Sequence, residues 1–349
     1  MGNIIHEDIK AVSQADFIDW DRLRGSTIFV TGATGLIGTS FIKSLDYANQ
    51  ERGLNIHVIA LVRDEIRAKD RFAEVLPNDM LSFVVGNVES LPVIDGEIDY
   101  IIHGASQTAS KEFVSHAVET IETSVLGTFN VLKLAKEKNV KGFVYLSSME
   151  VYGYPERGHK VKEDEIGSLS PLDLRNSYPI SKMMSESMCC AYAKEYGVPA
   201  MICRLTQTFG PGVNYNDGRI FAYFGRCVAE GKNIVLKTKG ETERCYLYTT
   251  DAVTAILSIM LNGEPGNAYN AADENTYCSI ADMAERVAAD GGIKVEYDIQ
   301  DEKLNGFPQT LYMNLASSAL KARGWKPLGG GYPITEMFQR MISSLEDEY

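Results

Sequence analysis

An apolar, β-branched run that breaks into three evenly spaced glycines constrains this chain more than any other feature. Ser26-Thr-Ile-Phe-Val-Thr-Gly-Ala-Thr-Gly-Leu-Ile-Gly38 reads as strand, turn and helix. A turn of this kind brings unpaired backbone N–H groups and the positive end of a helix dipole to one point, where a pyrophosphate can sit. Gly32 permits the tight turn, Gly35 lets the backbone approach the phosphates, and Gly38 lets a helix over 36–47 pack closely on the strand. The strand before and the helix after give the G-x-x-G-x-x-G spacing the context that a dinucleotide-binding turn requires.

Further apolar segments at 56–62, 81–85, 98–102 and 142–146 alternate with helical stretches. This pattern predicts an α/β fold: a Rossmann-type, doubly wound parallel sheet whose ligand crevice lies beyond the C-terminal strand ends. Arg63-Asp64, Gly86-Asn87-Val88 and His103-Gly-Ala-Ser106 all fall on that edge. Past the second strand an acidic residue suits the 2′-hydroxyl of NAD and an arginine the 2′-phosphate of NADP. Val62-Arg63 favours NADP, and Asp64 keeps NAD open. His103, at a strand end followed by small residues, reads as structural. Apolar residues recur at helical spacing from Phe113 to Lys138 and predict one long amphipathic helix.

With 349 residues, of which 45% are hydrophobic, the chain can bury a large core. A net charge of −13 without a basic cluster argues against a nucleic-acid partner. An anionic ligand must therefore find positive charge inside a pocket. No apolar run approaches the roughly 18 residues of a membrane span, and the first residues lack the pattern of a signal peptide, so the chain reads as cytoplasmic, with no membrane partner. Its six cysteines show no zinc or C-x-x-C spacing and read as reduced packing residues, with no metal site. Three regions are expected: a polar lead-in over 1–25 with Ile18, Trp20 and Leu23 packed on the body, an NAD(P)-binding domain with a catalytic helix over 26–205, and a smaller C-terminal substrate-binding lobe over 206–349. Some segments of the last region are expected to return to the first domain.

Asn176-Ser-Tyr-Pro-Ile-Ser-Lys182 opens another helix, with Ser177 as its cap and Pro179 in its first turn. Tyr178 and Lys182 are four apart and share a face. An ammonium close to a phenol favours the phenolate and lowers its pKa toward the range of a working base.

Thr31-Gly-Ala-Thr-Gly-Leu-Ile-Gly38, Ser147-Ser-Met-Glu-Val-Tyr-Gly153, Tyr178-x-x-x-Lys182 and Arg204-Leu-Thr-Gln-Thr-Phe-Gly-Pro-Gly212, in that order, resemble the extended short-chain dehydrogenase/reductase family, and within it the NAD-dependent nucleotide-sugar epimerases, dehydratases and decarboxylases. The resemblance runs from about residue 24 to 345. It implies Tyr178 as the base on a sugar hydroxyl, Lys182 on the nicotinamide ribose and Ser148 on the reacting oxygen. It further implies cofactor contacts at Gly32, Thr34, Gly35, Leu36, Ile37, Arg63, Asn87, Val88, Ala105 and Ser106, and substrate contacts at Ser148, Gln207 and Arg244. Asp251 matches a structural aspartate. A homodimer built on the helices from Phe113 and Tyr178 is also implied.

Glu150 stands where dehydratases and decarboxylases of the family carry a glutamate and epimerases usually a small residue, which points to work at C5 of the sugar. Met149 occupies the place of a dehydratase aspartic acid, and a thioether cannot donate a proton. Phe307-Pro-Gln-Thr-Leu-Tyr-Met-Asn314 lacks the arginine of many decarboxylases, Asn87 replaces an adenine-binding aspartate, and Gln207 replaces an asparagine. The resemblance thus implies an enzyme that oxidises a nucleoside-diphosphate sugar transiently at C4, dehydratase- or decarboxylase-type. A 4-epimerase and an idle NAD(P)-binding regulator are the alternatives.

Overall fold

The computed structural model describes residues 3–107, 112–300 and 309–346. Helix α1 (Asn3–Ser13) and a 3-10 turn (Trp20–Leu23) lead into β1 (Thr27–Thr31), α2 (Leu36–Arg52), β2 (His57–Val62), α3 (Glu65–Arg71), β3 (Leu81–Val85) and β4 (Tyr100–His103). Short helices α4 (Glu112–Ser115) and α5 (Ala117–Ile121) then precede α6 (Gly127–Lys138), β5 (Gly142–Ser148), β6 (Lys160–Val161), α7 (Ser177–Tyr196) and β7 (Ala200–Leu205). Beyond them run β8 (Gln207–Phe209), α8 (Ile220–Ala229), β9 (Ile234–Leu236), β10 (Glu243–Tyr248), α9 (Thr249–Asn262), β11 (Ala268–Ala271), β12 (Asp273–Ser279), α10 (Ile280–Asp290), β13 (Val295–Tyr297), β14 (Tyr312–Leu315), α11 (Ser318–Lys321) and α12 (Ile334–Glu346).

Seven parallel strands in the order β11-β7-β5-β4-β1-β2-β3 make the main sheet. Successive strand residues face opposite ways, so Ile28 and Val30 pack on one side with Phe41, Leu45, Val253 and Ile256, while Phe29 packs on the other with Ile101, Phe143, Val131 and Leu132. A parallel sheet covered on both faces needs such continuous apolar strands. The strand order reverses between β1 and β4, which opens the doubly wound crevice at their C-terminal ends.

A second sheet, β12-β10-β14-β6 with β8 added beside β10, stands on the C-terminal part of the chain. Phe209, Phe221, Phe224, Tyr246, Met283 and Phe338 form its core with α8, α10 and α12. β11, within the region read mainly as the smaller lobe, pairs in parallel with β7 as the outermost strand of the main sheet. Four apolar or small residues, Ala268-Tyr-Asn-Ala271, carry no mark of which sheet they join.

One long helix over 113–138 is not what forms. His116 at φ −135°, ψ 52° separates α4 from α5, and a π turn over Glu122–Leu126 precedes α6. A π turn keeps helical dihedrals and adds a residue, so it leaves the apolar spacing nearly helical. The turn sets Gly127 against Val88, where a Cβ would lie 2.6 Å from the valine Cγ2.

The lead-in is tied to the far end of the chain. Tyr248 donates to Asp8 Oδ2 at 2.7 Å, and Arg340 donates to Asp8 Oδ1 at 2.7 Å and to the Tyr248 oxygen at 2.9 Å. Ile18, Trp20 and Leu23 are buried as expected. Five of the six cysteines are buried and all six are free. Among the described residues no helix is long and apolar enough to cross a membrane, and no group of His, Cys, Asp and Glu has the arrangement of a metal site.

Candidate active site

The glycine turn between β1 and α2 is pinched to backbone dimensions. Gly32 has φ +72°, and a Cβ on it would stand 2.6 Å from the Gly104 carbonyl carbon; one on Gly38 would stand 2.4 Å from the Gly32 oxygen. Gly35 caps α2 in an extended conformation with no side-chain hydrogen bond. The side chain of Leu36 packs toward the C-terminal core and that of Ile37 toward the sheet core. Thr34 lies in the turn and Gly35 is exposed. The first-turn N–H groups thus have no helix partner and no side-chain cap, a setting that fits the pyrophosphate of a dinucleotide.

The other strand ends line the same crevice. Ala105 donates to Thr31 Oγ1 at 3.1 Å, and Ser106 donates to the Gln107 carbonyl at 3.0 Å. Asn87 Oδ1 already accepts from Ser90 N–H at 2.8 Å, while Val88 is buried and its carbonyl accepts from Asn130 at 3.0 Å. Arg63 is exposed, and Asp64 is used as the N-cap of α3, accepting from Arg67 N–H at 3.0 Å. His103 is buried between Thr31 Oγ1 at 2.7 Å and Thr128 Oγ1 at 3.1 Å. Burial, helped by the charge of Lys182, pushes its pKa down to about 3. A neutral imidazole clasped by two hydroxyls is a structural tie between β1, β4 and α6.

β5 carries the next group. At its end Ser148 Oγ accepts from Glu150 N–H at 3.2 Å and so caps a 3-10 turn over Met149–Tyr152. The Met149 side chain is buried in an apolar cluster with Val151, Tyr152 and Met313, its sulfur accepting from Thr206. Tyr178 and Lys182 lie on the buried face of the first turns of α7. Ser177 is not the cap of that helix. Asn176 takes the position without a side-chain bond, and Ser177 Oγ donates instead to the Phe113 carbonyl at 2.8 Å.

Lys182 donates to the Leu146 carbonyl at 2.7 Å, with Nζ 5.7 Å from the Tyr178 ring centre. Burial draws its pKa down to about 7, against the charge of Glu186. Tyr178 departs from the expected lowering. Burial and then the charge of Glu150 raise its pKa, and hydrogen bonding to Ser148 with the charges of Arg175 and Arg219 opposes them. Desolvation of a phenolate outweighs the nearby cations, and a lysine at about 7 is itself a weak source of charge. Glu150 is paired with Arg175, whose Nη2 stands 3.0 Å from Oε2.

Gln207 and Arg244 meet across β8 and β10, Arg244 Nη1 donating to Gln207 Oε1 at 3.0 Å. Among the described residues nothing accepts from Arg244 Nε, although that atom is buried. A half-buried guanidinium with an idle donor suits an incoming phosphate. Asp251 accepts from Leu328 N–H at 2.7 Å and ties α9 to the following turn, its other oxygen buried without a partner. Phe307 and Pro308 of the segment without arginine lie outside the described residues.

One assembly escaped the sequence reading. Ser147 donates to Glu186, Arg204 pairs with Glu186 at 2.7 Å and donates to Tyr152 at 2.8 Å, and Tyr152 donates to Asn270 at 2.6 Å. This network fixes Ser147 and Tyr152, which stand on either side of Ser148 and Glu150 in the sequence. Its only signal was Glu186, one turn past Lys182 on the same helix face.

Comparison with known proteins agrees with this architecture. UDP-glucuronic acid decarboxylase 1 of Xenopus tropicalis is 27% identical over 331 residues, covering 94% of this chain and 73% of that protein. The structure of a dTDP-glucose 4,6-dehydratase from Bacillus anthracis in complex with NAD superposes with a TM-score of 0.73 at 21% identity, covering 92% of this chain and 97% of that one. UDP-glucuronic acid 4-epimerase from Bacillus cereus in complex with NAD gives a TM-score of 0.73 at 18% identity, covering 93% and 99%. The NAD dependent epimerase/dehydratase family model matches residues 28–272. With that match added to the glycine turn, the seven-stranded sheet and the Tyr178–Lys182 helix, the chain belongs to the NAD dependent epimerase/dehydratase family.

Proposed function

We propose that the protein is an enzyme that oxidises a nucleoside-diphosphate sugar transiently at C4 and uses the resulting ketone to drive a second step at C5, of the decarboxylase type on a sugar uronate. The observation that carries this reading is the convergence of Tyr178, Lys182, Ser148 and Glu150 at the C-terminal edge of β5, beside the glycine turn. Gly32, Thr34, Gly35 and the start of α2 would hold a nicotinamide dinucleotide, which would supply a reversible hydride acceptor.

The chain's own groups handle protons. Ser148 holds the C4 oxygen and Tyr178 takes its proton as C4 is oxidised. Lys182, buried and poised at a pKa of about 7, supplies positive charge next to the phenol when protonated. A carboxylate on C5 then stands β to the new ketone. Its C5–C6 bond breaks with release of carbon dioxide, the electron pair moves into a C4–C5 enolate, and a proton returns to C5 on the side of Glu150. Reduction of the ketone, with the proton handed back by Tyr178, closes the cycle without net oxidation. Arg244 and Gln207 hold the diphosphate, and the idle Nε of Arg244 supports this assignment. The decarboxylase relative supports the uronate, and Met149, buried and unable to donate a proton, speaks against a dehydratase. A 4-epimerase is the second reading, favoured if the ion pair with Arg175 keeps Glu150 out of the chemistry. A reduced, cytoplasmic setting suits six free cysteines.

Two features extend the proposal. Arg63, exposed where Asp64 is engaged as a helix cap, favours NADP over NAD. Val118, Leu126 and Phe129 on the helices after Phe113, with Met184 and Tyr196 on α7, are exposed apolar side chains, and a second copy of the chain would cover them in a homodimer. Calorimetric titration is expected to show tighter binding of NADP, and equal or NAD-favouring affinity overturns the cofactor preference. Light scattering at micromolar concentration is expected to show a dimer, and a monomer overturns the pairing. For the chemistry, product formed in D₂O is expected to carry deuterium at C5, and Glu150→Gln to reduce the cofactor and then stall. Unlabelled product with an unaffected Glu150→Gln variant returns the protein to the 4-epimerases.

A further inference from the structure

The side chains beside Tyr178 form a closed set of contacts that proton transfer alone does not use. Arg175 lies three residues ahead of Tyr178 and reaches Glu150 Oε2 with Nη2 at 3.0 Å. Its guanidinium carbon is 4.9 Å from the centre of the Phe113 ring. Phe113 in turn lies flat on Tyr178, with ring centres 4.2 Å apart and planes 1° from parallel. The Phe113 backbone is fastened by Ser177, the first residue of α7, next to Tyr178. Both members of the ion pair are sheltered, at 28% and 26% side-chain exposure, and Phe113 is fully buried.

A solvated ion pair on a protein surface contributes little and needs no second contact. Here one guanidinium does two jobs: Nη2 bonds the carboxylate while the cation stands over the Phe113 ring, a pair of contacts that a compact lysine ammonium meets less well. The two ends of the set are the two groups assigned to the proton steps. Glu150 comes from the end of β5 and Tyr178 from α7, so no shared backbone holds them in register. The Glu150 carboxylate also raises the Tyr178 phenol, and the charge of Arg175 offsets that effect.

We infer that Arg175 is a positioning residue for the proposed reaction: lodged against Phe113, which is stacked on the Tyr178 ring, it holds the Glu150 carboxylate through Nη2 at a set distance from that ring. The separation of the two proton-handling groups is thereby set before substrate arrives. Oxidation at C4 and proton exchange at C5 then act on one substrate pose. Arg175 acts through Glu150 rather than on the reacting carbons. This inference rests on the reading above and goes beyond it in naming what couples the two steps.

The experiment compares Arg175→Ala, Arg175→Lys, Glu150→Gln and the Arg175→Ala/Glu150→Gln pair, each checked by thermal melting, with a nucleoside-diphosphate uronate in D₂O. Two rates are read on each enzyme: reduction of the bound cofactor, and deuterium entry at C5. Arg175→Ala is expected to slow C5 exchange by roughly tenfold to a hundredfold, the cost of a displaced catalytic group, with cofactor reduction little changed. Arg175→Lys recovers part of the loss, since it keeps the charge but not the guanidinium's reach and planar contact with Phe113. Adding Arg175→Ala to Glu150→Gln costs nothing further at C5, because the arginine acts through that carboxylate. Full multiplication of the two losses, or equal slowing of both rates, overturns the inference. Should Arg175→Ala fail to fold, Arg175→Lys alone decides: C5 exchange as fast as in the unaltered enzyme overturns it. Unaltered enzyme that oxidises C4 without exchange at C5 overturns the underlying reading, a result distinguishable from loss of the Arg175 effect alone.

Discussion

Everything in this molecule depends on how closely β1, the start of α2 and the end of β4 approach one another. Gly32 and Gly38 stand where a single added carbon would meet backbone at 2.6 Å and 2.4 Å. The constraint is steric and local, and it sets the geometry of the whole C-terminal sheet edge. Because α2 starts without a side-chain cap, its first N–H groups stay free for an anion. Because β4 is drawn against β1, His103 can span Thr31 and Thr128 as a neutral tie. β5 pairs with β4 in the next position, which delivers Ser148 and Glu150 to the same edge.

The charge distribution follows a matching logic. A chain with a net charge of −13 repels an anionic substrate at long range. It compensates by burying cations at chosen points. Arg204 is engaged by Glu186 and Tyr152, Arg175 by Glu150, and Arg219 by Asp217, so each of these is neutralised in place. Arg244 has a buried donor to spare. Lys182 donates to a carbonyl rather than a carboxylate, so the charge of Glu186 offsets its burial only in part and its pKa falls to about 7. A buried group that can carry its charge or lose it near neutrality is of more use beside a phenol than one locked in an ion pair.

How much of this is legible in the sequence depends on the range of the interaction. The glycine turn, the strands ending at Val62 and Val85, and the α7 start before Tyr178 are local signals, and the structure has them at those positions. What escapes is set by partners far along the chain. The break at His116 and the π turn at Glu122–Leu126 leave apolar spacing almost unchanged, so periodicity cannot see them. Ser177 reads as a cap until the Phe113 carbonyl competes for its hydroxyl. The lowering of the Tyr178 pKa assumed solvent around the pair, and burial reverses its sign. The clasp of Asp8, Tyr248 and Arg340 joins residues 332 positions apart, which no motif announces.

The central claim is that this crevice oxidises and re-reduces a nucleoside-diphosphate sugar while changing it in between. Mass analysis of a panel of nucleotide sugars, uronates included, after incubation with the enzyme and a nicotinamide dinucleotide tests it most directly. The expected product from a uronate is lighter by one carbon dioxide, with the dinucleotide returned to its starting oxidation state. An unchanged panel, or a product formed with stoichiometric consumption of the cofactor, contradicts it.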